Sequence, residues 1–121
     1  MSELLQQTSV LAVLDLDASR DFYIDKLGME EELSVEGWSF LRRGEFRLRL
    51  GHCPDDEPTD KGTNVSFFGQ VMVKDAESLY SEFVDNGVEI SIPLEDKDWG
   101  LREFSIVTID GHRILFAEEI S

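Results

Sequence analysis

"LDLDASRDFYIDKLGME", residues 14–30, can be laid over "VMVKDAESLYSEFVDNGVE", residues 71–89. Asp17-Ala18 falls on Asp75-Ala76, and "KLGME" falls on "DNGVE" about 59 residues later, with a one-residue gap. Self-similarity at a fixed spacing is the signature of a duplicated structural unit. Each copy carries the same local signals. An apolar run of strand length (SVLAVLDL, 9–16; NVSFFGQVMV, 64–73) leads to an aspartate suited to cap a helix, Asp17 or Asp75. Apolar residues then recur at helical spacing, Ala18, Phe22 and Leu27 in one copy and Leu79, Phe83 and Val84 in the other. Gly28 or Gly87 follows, where a helix needs a left-handed residue to stop.

Working outward, each half closes on a hairpin. Strands are expected over 38–41 and 46–50 around Arg43-Gly44, and over 104–109 and 113–117 around Asp110-Gly111. Each half therefore reads as strand, helix, then two or three strands. The expectation is an α+β fold of paired βαβββ modules, a curled mixed β-sheet around a cavity, in one domain over 5–120. Module one spans about 8–53 and module two about 64–119, joined by a polar, proline-punctuated connector over 54–63. A single ferredoxin-like sandwich competes, but it accounts less well for the hairpin that ends each half.

With 121 residues, the chain is long enough for one core. No stretch approaches the run of roughly 18 apolar residues that spans a membrane, and the first residues lack the basic and apolar regions of a secretion signal. Cys53 is the single cysteine, which excludes an intrachain disulfide and suits a reducing interior, so the cytoplasm is expected. A formal net charge of −15 argues against nucleic-acid partners and would steer cations inward. The same charge is also what solubility alone would select.

Three stretches in this order, "LDLDASRDFYIDKLGME" (14–30), "VMVKDAESLYSEFVDNGVEI" (71–90) and "WGLREFSIVTIDGHRILFAEE" (99–119), resemble the vicinal oxygen chelate superfamily. That superfamily includes glyoxalase I, extradiol dioxygenases, and fosfomycin- and bleomycin-resistance proteins, and the bleomycin-resistance members are the most similar. The resemblance implies the glyoxalase/bleomycin resistance/dihydroxybiphenyl dioxygenase fold, with a cavity and a homodimer. Its enzymes hold a divalent metal on His, Glu or Gln side chains of the first and last strands of each module. Carried over motif by motif, those positions fall on Thr8, Arg49, Phe68 and Leu115. Phenylalanine and leucine offer no lone pair, a threonine hydroxyl is a poor ligand, and Arg49 places a cation where a cation should sit. A shift of one residue recovers only Gln7. No metal and no cofactor are therefore expected.

The remaining polar candidates have structural readings. His112 follows a turn, His52 ends a strand, and Glu118, Glu119 and Asp98 read as a solvated acidic rim. Cys53 has no evident basic partner. If the ligand positions face the cavity, strand alternation lines it with Arg49, Phe68, Gln70, Met72 and Leu115, and leaves Arg47 facing solvent. Phe68 and Met72 equally suit plain core. Trp99 stands in a polar loop where no core demands an indole, and Trp38 starts a strand. Both suit a flat aromatic or cationic ligand; pinning the loop, for Trp99, and packing the core, for Trp38, are the structural alternatives. The similar "WGREF" segment of bleomycin-resistance proteins contributes an aromatic to the drug cleft, and "WGLREF" here is one residue longer.

The expected function is metal-free binding of a small molecule, without catalysis, as in drug-sequestering bleomycin-resistance proteins. The competing class is a metal-dependent glyoxalase-like lyase or extradiol dioxygenase, or acid–base work by Glu103 or His112. A purely structural module is the third.

Overall fold

A computed structural model of the chain describes residues 2–53 and 67–121. The connector at 54–63 and the first part of the strand expected over 64–73 lie outside these residues. Module one runs β1 (Ser9–Val13), α1 (Leu16–Asp25), β2 (Glu30–Val35), β3 (Trp38–Arg43) and β4 (Phe46–His52). Module two repeats the order as β5 (Phe67–Met72), α2 (Ala76–Asp85), β6 (Glu89–Asp96), β7 (Leu101–Val107) and β8 (Arg113–Glu119). The strands form two four-stranded mixed sheets of matching order, β1-β4-β3-β2 and β5-β8-β7-β6. In each sheet the first strand pairs in parallel with the last, and the other pairings are antiparallel.

In module one the helix is capped two residues earlier than the sequence suggests. Asp15, and not Asp17, caps α1: its carboxylate accepts a hydrogen bond from the Ala18 amide at 3.1 Å, and the helix begins at Leu16. Asp17 sits in the first turn, where a negative charge complements the helix dipole. Asp75 caps α2 as expected, accepting from the Ser78 amide at 3.1 Å and the Ser78 hydroxyl at 2.9 Å. These hydrogen bonds hold the Asp75 carboxyl below the usual carboxylate range, the backbone one contributing most. Both helices end as the repeat predicts. Gly28 and Gly87 adopt φ of 71° and 79°, and the next amides, of Met29 and Val88, donate back to Tyr23 and Phe83 carbonyls at 3.0 Å.

Alternation along the strands sends Leu11, Leu41, Leu48 and Leu50 to the helix side in one module, and Phe104, Ile106, Ile114 and Phe116 in the other. These residues meet Tyr23, Leu27 and Phe83 in one shared core. Phe116 is its hinge point: its ring packs against Phe83 and Phe104 at 5.3 and 5.4 Å, and meets Phe46 of module one edge-on at 6.2 Å. Polar links rim this junction. Arg43 grips Glu82 through both terminal nitrogens, at 2.8 and 3.0 Å, and the Ser19 hydroxyl donates to Asp110 at 2.7 Å.

Because Phe116 is 3% exposed and touches both modules, Phe116→Ala is expected to cost about 3–5 kcal/mol, from lost burial and the cavity left behind. Equilibrium denaturation in urea, monitored by circular dichroism, measures it. A single transition shifted to lower urea is the expected result.

Candidate ligand-binding site

The helix-side faces of both sheets are spent on the core, which leaves the opposite faces to meet a ligand. In module one, the cross-strand rows Val10–Arg49–Phe40–Leu33 and Ala12–Gly51–Trp38–Val35 lie on that free face. Arg47 and Arg42 form the next row and both pair with Glu32, at 2.9 and 3.7 Å. Arg47 is thus half-buried and paired, where the sequence suggested solvent. Arg49 behaves differently from its neighbours. Its guanidinium lies 4.0 Å from the Trp38 ring centre and 4.9 Å from that of Phe40, and it makes no carboxylate contact among the described residues. Gly51 makes this arrangement fit, since a Cβ at that position would stand 2.7 Å from the Trp38 ring.

In module two the corresponding rows are Gln70–Leu115–Ser105–Ile92 and Met72–Ala117–Glu103–Glu95. Ser105 is fully buried and shares a short hydrogen bond with Ser91, and Glu103 is 7% exposed. Phe68 does not follow the alternation expected for it. A register shift between Phe67 and Gly69 puts Phe67 in the row with Arg113. Phe68 packs against the core and meets the His112 ring edge-on at 5.9 Å.

A groove of about 930 Å³ opens between the modules along the free edge of β5. Phe68, Gln70 and Met72 line it together with Phe46, Arg47 and Leu79. Arg49, Trp38 and Leu115 stay outside it, on the free sheet faces. Trp99 is 65% exposed on the β6–β7 turn, with the Lys97 ammonium 5.9 Å from its ring centre, and it joins neither group. The structure therefore brings the expected residues into two separate sets. Phe40 and Gly51 were missed by the sequence reading. The signal was present: Phe40 alternates with Trp38 along one strand, and Gly51 follows the run "FRLRL".

Residues 5–116 match the family profile described as Glyoxalase/Bleomycin resistance protein/Dioxygenase superfamily. The chain belongs to this superfamily. It is 27% identical over 130 residues to a bleomycin resistance protein of Geobacillus stearothermophilus, spanning 97% of this chain and 98% of that relative. The fold is similar to that of the bleomycin resistance determinant encoded on transposon Tn5, with a TM-score of 0.79, 23% identity, and coverage of 96% and 98% of the two chains. It is also similar to the bleomycin-binding protein of Streptomyces verticillus complexed with copper(II)-bleomycin, with a TM-score of 0.74, 22% identity, and coverage of 96% and 97%.

Do the residues at the superfamily's metal positions fit a divalent ion? Thr8 precedes β1, Arg49 is stacked on aromatic rings, Phe68 is packed beside His112, and Leu115 is apolar. Among the described residues, no three His, Cys, Asp or Glu side chains gather into a cluster that could hold a metal. This donor set does not fit the ion, and no chemistry is routed through one.

Two of the acidic-rim and turn-edge readings change. Glu118 is no part of a solvated rim, because it accepts a hydrogen bond from the Ala76 amide at 3.1 Å, at the start of α2. There its charge faces the positive end of the helix dipole. Glu119 and Asp98 are exposed. His112 follows the turn but is half-buried, and its Nδ1 has no hydrogen-bond partner among the described residues. Burial lowers its pKa below the ordinary 6.5, with Asp110 opposing the shift. Below that pH the unfolded chain takes up the proton first. Stability is therefore complete above pH 6.5 and falls as pH drops through the lower folded value. In His112→Gln this loss is expected to shrink, which urea denaturation at a series of pH values between about 7.5 and 5.5 measures.

Proposed function

We propose that this chain is a metal-free, non-catalytic protein that binds a small planar molecule, similar to bleomycin-resistance proteins that sequester a drug. The observation that carries this reading is the content of the free sheet faces. Where a catalytic relative needs donors, this chain has Arg49 stacked with Trp38 and Phe40, and Leu115. Sequestration needs affinity alone, and aromatic and guanidinium surfaces supply it without a reaction. The likeness of the whole chain to bleomycin resistance proteins supports the same reading, including a role in antibiotic resistance. Val10, Leu33 and Val35 stand 57%, 51% and 47% exposed on the free face of the first sheet, which favours a homodimer that covers them. The strongly acidic chain disfavours nucleic acid as a partner, and no described helix is long and apolar enough to cross a membrane. A cytoplasmic location fits its lone cysteine.

A thermal-shift screen run with and without chelator tests the reading. The panel holds bleomycin-type glycopeptides, planar aromatic acids and amines, methylglyoxal–glutathione adducts and catechols. A compound that binds the native state at 100 times its Kd adds about 2.7 kcal/mol of stability by mass action. At least one is expected to raise Tm equally with chelator present. Stoichiometric Ni, Zn, Mn or Fe in protein purified without chelator overturns the metal-free reading. Trp99→Ala is expected to change the unliganded stability by less than about 0.5 kcal/mol, as an exposed residue should.

A further inference from the structure

Resting on the binding reading above, we propose that Arg49 is a carboxylate-recognition residue, and that the ligand is a planar aromatic compound bearing a carboxylate. The acidic composition points the other way, toward a cation, but composition describes the whole surface and Arg49 describes one spot. Three arginines share the free face of the first sheet. Glu32 neutralises two of them, pairing with Arg42 and Arg47, and leaves Arg49 as a charge without a counter-ion among the described residues. Its Nε is shielded from solvent and has no hydrogen-bond partner among the described residues.

The way Arg49 is held sharpens the assignment. The guanidinium carbon lies over the Trp38 ring, 4.0 Å from its centre, and 4.9 Å from the centre of the Phe40 ring, so the two aromatics hold the group in place. Its N–H groups radiate from the edge, in the plane, where a carboxylate is gripped by two parallel hydrogen bonds. The side chain is thereby fixed before a ligand arrives, which lowers the entropy lost on binding. Gly51 is what allows Trp38 to lie across the strand, so residues of two strands, β3 and β4, share in building the seat. An aromatic ring attached to the carboxylate continues the stack along the Trp38 and Phe40 rings. A polycation placed there would meet Arg49 directly.

Isothermal titration calorimetry with 2-naphthoate, 2-naphthamide and 2-naphthylmethylammonium isolates the charge. In the wild-type chain naphthoate is expected to bind at least about tenfold more tightly than the amide, the scale of a charge-assisted bidentate contact, with the ammonium weakest. Arg49→Met should abolish the naphthoate preference while keeping amide binding. Arg49→Lys should keep only part of it, since an ammonium lacks the fork geometry. Ammonium binding as tight as naphthoate overturns the assignment, as does a naphthoate preference that survives in Arg49→Met folded by circular dichroism. Where Arg49→Met fails to fold, the wild-type ranking and Arg49→Lys decide. Silence of all three probes, while another compound of the thermal-shift panel raises Tm, overturns the carboxylate alone. Silence of the whole panel overturns the binding reading with it.

Discussion

The contact of Phe116 with Phe46 on one side and Phe83 and Phe104 on the other fixes how the two modules meet. Each module alone has one helix to cover one face of a four-stranded sheet, and a core of that size is marginal. Joining the helix-side faces makes one core from both copies. The consequence is geometric: with period-2 alternation, every side chain committed to that core leaves its neighbours on the opposite face. Trp38, Phe40, Arg47 and Arg49 are on the free face because Ser39, Leu41, Leu48 and Leu50 are buried. Duplication thus yields two free faces, and what each offers a ligand is written in the residues that the core did not use.

How much of this was readable beforehand depends on where burial imposes a pattern. The repeat, both helices and both hairpins were legible because caps, positive-φ glycines and alternating strands each leave a local mark. β2 and β6 were not placed, and both are edge strands. β2 is exposed along its whole length, so neither face imposes alternation. β6 contains Pro93, which reads as a breaker and is tolerated only because an edge strand has one side without ladder hydrogen bonds. Phe68 was assigned by parity, and a bulge at its own position breaks parity without any residue-type signature.

The site divides along the same line. That Thr8, Arg49, Phe68 and Leu115 make a poor donor set is a matter of residue identity alone. That Arg49 stacks on Trp38 follows from cross-strand register, with Phe40 and Gly51 opposite Arg49 and Trp38 respectively. Register is a long-range property, fixed by hairpin geometry and by the core together. The links of Ser19 to Asp110 and of Arg43 to Glu82 lie equally beyond any local reading, since each joins one copy of the repeat to the other.

The acidic surface and the Arg49 guanidinium act at different ranges. Between exposed charges, the field of a net −15 is screened over about 8 Å at physiological ionic strength, and it governs the rate at which a ligand arrives. Recognition is decided within hydrogen-bonding distance, where the aromatic rings around Arg49 exclude water and strengthen each contact. An acidic protein therefore repels anions in general, and the proposed recognition at Arg49, which has no carboxylate partner among the described residues, would act only at contact range. Long-range repulsion raises the threshold for every anion equally. Under the proposed carboxylate recognition, selectivity is left to the two rings and the guanidinium fork held beside them.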